Sequence, residues 1–162
     1  MEYASPAAVS HRNLLLELLG RTPVLARSLA VARTTATDGG AGWPAGIVLR
    51  HLAHVDANVW LPRLHEMAEA GADAGSGEPP TWQWWEPDGV DWPALYGGRS
   101  IDDVAAELTV ARAATVSYLG GLSPSGWSRL GRHTVFGDLD VVGLCEQVLA
   151  HDDLHLAQLR RP

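Results

Sequence analysis

Apolar positions recur at helical spacing in three long stretches of this chain. Between Pro44 and Ala70, Val48, Leu52, Val55 and Val59 stand four, three and four apart, which keeps them on one helix face, and Leu64 and Met67 carry the stripe onward. Pro62 removes the amide that would bond the Asn58 carbonyl, so this helix is expected to kink near Val59–Pro62 rather than stop. A second stripe, Val104, Leu108, Ala111, Thr115, Tyr118 and Leu122, follows Ser100 and Asp103, a pair spaced to cap a helix start. The third begins near Asp138 or Asp140 and runs through Val141, Leu144 and Val148, after which its inward face turns polar with His151, His155 and Gln158. Upstream, Ser5-Pro6 opens a helix expected to end at Gly20, and Thr22-Pro23 opens a short second one over 24–32. No period-two run is long enough to build a sheet, and no internal repeat is evident. Residues 81–99 have neither period, and an irregular connection of that length is usually functional. The pattern predicts an all-α single domain over residues 1–162.

The polar end of the last stripe carries the candidate chemistry. Two histidines four apart on a helix lie about 40° apart around the axis and about 6 Å along it, so their rings can converge on one metal ion. His151 and His155 have that spacing and the inward phase. The structural alternative is a pair of core histidines hydrogen-bonded to carboxylates or hydroxyls. A third ligand must come from another helix. His51 lies about 40° from Val55 in the buried stripe and His54 about 100° from it, so only His51 borders the core. His65 is roughly 21 Å beyond His51 along the helix, too far to share an ion, and His11 and His133 are expected at the surface. Three histidines leave open coordination positions, as catalytic sites do. Asp56, Asp152 and Asp153 are candidates to accept the other ring N–H of the ligands, with solvated surface charge as the alternative.

Composition narrows the choices. Nineteen acidic against twelve basic residues give a net charge of −7, with no basic cluster, which excludes a nucleic-acid-binding face. No stretch approaches membrane-spanning length, and MEYASPAAVSHRN lacks the layout of a signal peptide, so the expectation is a soluble cytoplasmic protein. Cys145 is the only cysteine, so a metal must rest on histidine and carboxylate. Arg112 falls on the inward sector of its helix and needs a partner there: Glu66, Glu146 or Asp152 in a structural reading, a substrate carboxylate beside the metal in a functional one. In the Trp-rich connection, Trp84, Trp85 and Tyr96 are candidates either to cap the core or to wall a pocket.

Three segments then take on meaning together: LRHLAHVDANVWLPRL at 49–64, W-x-R-x-x-x-H-x-x-F-G from Trp127 to Gly137, and LAHDDLHLAQLRR at 149–161. In this order they resemble the DinB/YfiT-like family of metal-binding four-helix bundles. The resemblance implies a four-helix bundle of up-up-down-down topology, with the Trp-rich segment as a long crossover between the second and third bundle helices, and frequent homodimers. It implies one divalent ion, Ni, Zn, Fe or Mn, on a histidine set that maps to His51, His151 and His155. His54 stands where an acid is common, a rival or additional ligand, and Asp56 where Glu is usual. Family members include hydrolases and transferases or isomerases that use a low-molecular-weight thiol. The expectation is therefore a metal-dependent enzyme acting on a small molecule, against a non-catalytic metal-binding or stress-related binding protein, or a metal-free bundle with structural histidines.

Overall fold

In the computed structural model, which describes residues 4–33, 43–70, 77–85 and 89–160, the two helices expected at the N-terminus are one. Helix α1 spans Pro6–Arg33 and passes through Gly20 and Pro23 without a break. Pro23 has no amide for the Leu19 carbonyl, but Arg112 supplies a donor from another helix, its Nη1 lying 3.1 Å from that oxygen. Thr22, read as a helix start, donates instead to Asp152 Oδ2 at 2.9 Å.

The second long helical segment is α2, Ala45–Val55, a π-helical turn, Asp56–Trp60, and α3, Leu61–Ala70. The disturbance expected around Pro62 takes the form of this π turn: the Leu61 amide bonds the Asp56 carbonyl, five residues back, and the chain gains one residue without leaving the helix. Helix α4, Trp92–Tyr96, is short, and the third and fourth bundle helices are α5, Ile101–Gly120, and α6, Val141–Arg160. Ser100 Oγ accepts the Asp103 amide at 3.1 Å, as the spacing predicts, and Asp140 accepts the Gly143 amide at 2.8 Å, which fixes the start of α6.

Residue pairs fix the helix directions. Arg27 bonds Asp102, and Leu19 bonds Arg112, so α1 and α5 are antiparallel. Arg50 pairs with Glu107, Asp56 with Arg112, and the Leu64 carbonyl with Tyr118, so α2–α3 runs parallel to α5. Thr22 meets Asp152 and Arg33 meets Gln158, so α6 runs parallel to α1. The architecture is a four-helix bundle, but the order is up-down-down-up rather than up-up-down-down. Joining two parallel helices, α3 and α5, requires the chain to return along the bundle, which is why the connection between them is long.

That connection is more regular than its sequence suggests. Strand β1, Thr81–Trp82, pairs in parallel with β2, Leu130–His133, which pairs antiparallel with β3, Gly137–Asp140. Strands of two to four residues are too short to show a period-two pattern, so the expectation of no sheet fails at this corner. Two glycines seat the connection on the bundle. A Cβ on Gly131 would lie 2.1 Å from the Trp82 ring, and one on Gly46 would lie 2.1 Å from the Tyr96 ring.

The apolar core has two clusters. Leu19, Leu119 and Val148 belong to one; Ala26, Leu108 and Leu156 to the other. Between them, on the same three helices, stand Thr22, Arg112 and Asp152, all buried. Among the described residues no helix is long and apolar enough to cross a membrane.

Candidate metal centre

The inward phase that selects His51, His151 and His155 is the phase observed: their candidate ligand atoms all lie within 4.8 Å of one another. His151 Nε2 is 3.0 Å from His51 Nε2 and 3.2 Å from His155 Nε2. His155 Nδ1 donates to Gln158 Oε1 at 2.8 Å, since an amide oxygen can only accept, and this leaves Nε2 with its lone pair free. A proton on His151 Nε2 bridges its neighbours at best imperfectly and leaves His151 Nδ1 a bare buried acceptor. One cation satisfies all three Nε2 lone pairs at once. Nitrogen ligands about 2.0–2.1 Å from a tetrahedral ion lie about 3.3–3.4 Å apart, just beyond the 3.0 and 3.2 Å that His151 Nε2 makes with its two neighbours. The donor set therefore fits a divalent transition metal.

Electrostatics agree with a neutral, ligating state. Burial pushes His51 down to about 2, helped by His155, His151 and His54, and burial together with His155 pushes His151 down to about 4. Burial also lowers His155. Support for the rings is uneven: Nδ1 of His51 and of His151 find no hydrogen-bond partner among the described residues.

The carboxylates expected to support those rings are engaged elsewhere. Asp56 and Asp152 both grip Arg112, at 2.6 and 3.0 Å from Asp56 and at 2.7 and 3.0 Å from Asp152. Burial opposes the charge of Arg112, but the Asp152 and Asp56 carboxylates outweigh it and hold the guanidinium above its ordinary value. Of the partners named from sequence for Arg112, Asp152 is found, Glu66 and Glu146 are not, and Asp56 was missed in that role. With both forks of Arg112 occupied, no donor is free to clamp a substrate beside the histidines. Asp153 is exposed.

A cavity of about 200 Å³ opens onto the three histidines. Trp84 and Trp85 of the connection line it, as sequence allowed; Tyr96 does not, packing instead over Gly46. His54 is half-buried with its ring between Trp85 and Trp92, at 5.9 and 5.4 Å, and burial with the Arg50 charge lowers its pKa; it is outside the ligand cluster. His65 packs on Tyr118, and Cys145 is buried, its thiol pushed up to about 12 by burial.

Three wall residues escaped sequence reading. Trp43 stacks parallel to His155, centroids 6.1 Å apart. His133 is 3% exposed rather than at the surface, because the tight turn from β2 to β3 folds its ring inward. Arg63 is twelve residues after His51, about 120° away on an uninterrupted α-helix. The residue gained in the π turn sets the phase back by about 100° and brings it onto the His51 face. The motif spacing around Trp127 marked His133, and the five-residue step from Val59 to Leu64 is the signal in the apolar pattern that marks the π turn.

Fold and site together define a four-helix bundle with a buried three-histidine cluster facing an aromatic pocket. A family model for the DinB superfamily matches residues 11–159, and the chain belongs to that superfamily. Among solved structures it is similar to YfiT from Bacillus subtilis, described as a probable metal-dependent hydrolase with an unusual four-helix bundle topology. The TM-score is 0.69 at 14% identity, over 98% of this chain and 87% of that one. No curated protein matches the chain.

Proposed function

We propose that this protein binds one divalent transition-metal ion through His51, His151 and His155 and acts as a metal-dependent enzyme on a small molecule, as a hydrolase or a thiol-dependent transferase. The observation that carries the reading is the convergence of three Nε2 atoms at 3.0 and 3.2 Å at the wall of a cavity. The description of YfiT as a probable metal-dependent hydrolase supports the hydrolytic branch. A bound ion of this kind supplies Lewis-acid polarisation and lowers the pKa of a coordinated water or thiol. The chain's own residues do the rest. Gln158 orients His155 through Nδ1, burial keeps His51 and His151 unprotonated, and Trp43, Trp60 and Trp85 limit water around the reacting groups.

The test is metal analysis of protein purified without a tag, followed by turnover assays. About one equivalent of transition metal in the wild type, falling below about a tenth in His51→Ala and His151→Ala, is the expected result. Activated esters and amides, and electrophiles supplied with a low-molecular-weight thiol, are then assayed. Metal without turnover in either panel turns the assignment to a non-catalytic metal-binding protein; no metal in any preparation ends it.

A further inference from the structure

Arg63 and Arg112 are both buried arginines, but among the described residues only Arg112 is in contact with carboxylates. Arg63 is 8% exposed and forms no ion pair among the described residues. Its guanidinium lies between the indoles of Trp60 and Trp82, 5.5 and 5.3 Å from their centroids, and Nη2 donates to the Gln83 carbonyl at 2.9 Å. Glu66, one turn along the same helix, is near enough for its charge to favour the guanidinium against burial, but it makes no ion pair with Arg63 and takes the Trp82 indole N–H at 2.5 Å instead. Nε and Nη1 of Arg63 carry no hydrogen bond among the described residues, and the side chain lines the cavity. A buried cation with no carboxylate in contact is costly, and an anion arriving at its free donors offsets that cost.

His133 adds a donor at the same end. Its Nδ1 accepts the amides of Val135 and Phe136 at 3.1 and 3.4 Å, which forces the ring proton onto Nε2. Nε2–H has no partner among the described residues, and the ring lines the same cavity. Burial, and then the Arg63 charge, keep it neutral, so the two groups are close enough to sense each other. Among the described residues no Asp or Glu lines the cavity, and between this end and the histidines the wall is apolar, with Val55, Val59 and Leu154. Along the helix, Arg63 is roughly 17 Å beyond His51, less the length of its own side chain, which leans back toward the histidines.

We propose that Arg63 and His133 form a recognition site for the carboxylate of a small substrate whose body is apolar, with the reactive group held at the three-histidine end. The guanidinium takes the carboxylate through Nε and Nη1, and the imidazole donates Nε2–H to it. The site rests on the metal-dependent reading only for the placement of the reactive group; the carboxylate itself binds with or without metal.

The experiment titrates the full chain, as isolated and after chelator treatment, with phenylacetate and with its neutral counterpart phenylacetamide. Calorimetry and tryptophan fluorescence report binding, and metal content is measured on the same samples. Phenylacetate is expected to bind at least about tenfold more tightly than the amide in both states. Arg63→Met, which retains an unbranched stem between the indoles, is expected to erase the preference, and His133→Phe to weaken phenylacetate by about threefold or more, with metal content unchanged in both. Equal or absent binding of the two compounds to wild type overturns the proposal, as does a preference that survives Arg63→Met. A preference that vanishes on metal removal also overturns it, because the carboxylate is then a ligand of the ion. Should Arg63→Met not fold, the chelated wild type and His133→Phe decide. Protein that holds no metal as isolated and still prefers phenylacetate refutes the metal assignment and leaves the carboxylate site standing.

Discussion

Two polar clusters lie within a few residues of each other in the interior of this bundle, and they are built on opposite principles. Around Arg112, charges are matched: two carboxylates, a carbonyl from α1 and the Thr22 hydroxyl close the network, and every long helix contributes. Around His151, three acceptor-type nitrogens face one another and two further ring nitrogens have no partner among the described residues. A saturated network of this kind holds helices in register, whereas an unsaturated one at a cavity wall is ready for a ligand. The adjacent residues His151 and Asp152 divide between the two, one aimed at the pocket and the other at the core.

The contrast breaks most readily at Arg112. Arg112→Ala leaves Asp56 and Asp152 buried without a counter-charge and is expected to cost about 3–5 kcal/mol, measured by urea denaturation. A smaller loss, under about 1 kcal/mol, means that the network is not the tie it resembles. Metal acts on the other cluster. Added Zn or Ni at about a hundred times its Kd is expected to stabilise wild type by about 2.7 kcal/mol and to leave His151→Ala unmoved in a thermal melt.

Acid sharpens the difference further. His51 and His151 have folded pKa values below the ordinary 6.5, so the unfolded chain binds more protons between the two values. Stability of the metal-free protein is therefore fully present above about pH 6.5 and falls as the pH drops through the window down to the folded values, by up to about 1.4 kcal/mol per unit per ring. Allowing for relaxation, about 2 kcal/mol in all is expected between pH 6.5 and 5, with a shallower slope in His51→Phe; a flat profile in wild type denies the histidines their buried, neutral state. The smallest effect is at Pro23→Ala. It restores an amide for the Leu19 carbonyl that Arg112 already satisfies, so the change is expected to stay within about 1 kcal/mol. A large gain there means the Arg112 bond is a poor substitute.

What the sequence made legible follows from what periodicity encodes. Straight helical phase places His51, His151 and His155 on facing surfaces and leaves His54 and His65 aside, because α2 and α6 are regular where those residues stand. The same rule fails beyond the π turn, where Arg63 rotates into the pocket; the five-residue step from Val59 to Leu64 is the trace that the insertion leaves in apolar spacing. Pro23 misleads for a different reason: the helix survives because the partner for its orphaned carbonyl comes from ninety-three residues away, beyond any local signal. His133 was placed wrongly because a four-residue strand and its turn set its direction. Helix directions, too, depend on pairings such as Arg27 with Asp102 that no single helix declares.

The turn at Asp56–Trp60 divides one continuous helical segment into two independently oriented halves. Removing a single residue there, Ala57 for example, would wind the segment back into plain α-helix and swing Arg63 about 100° out of the cavity, while His51, on the earlier side, keeps its bearing. His51 and Arg63 thus sit on opposite sides of a one-residue insertion, and a lineage could exchange the cation that faces the pocket by indel rather than by substitution, without disturbing the histidines.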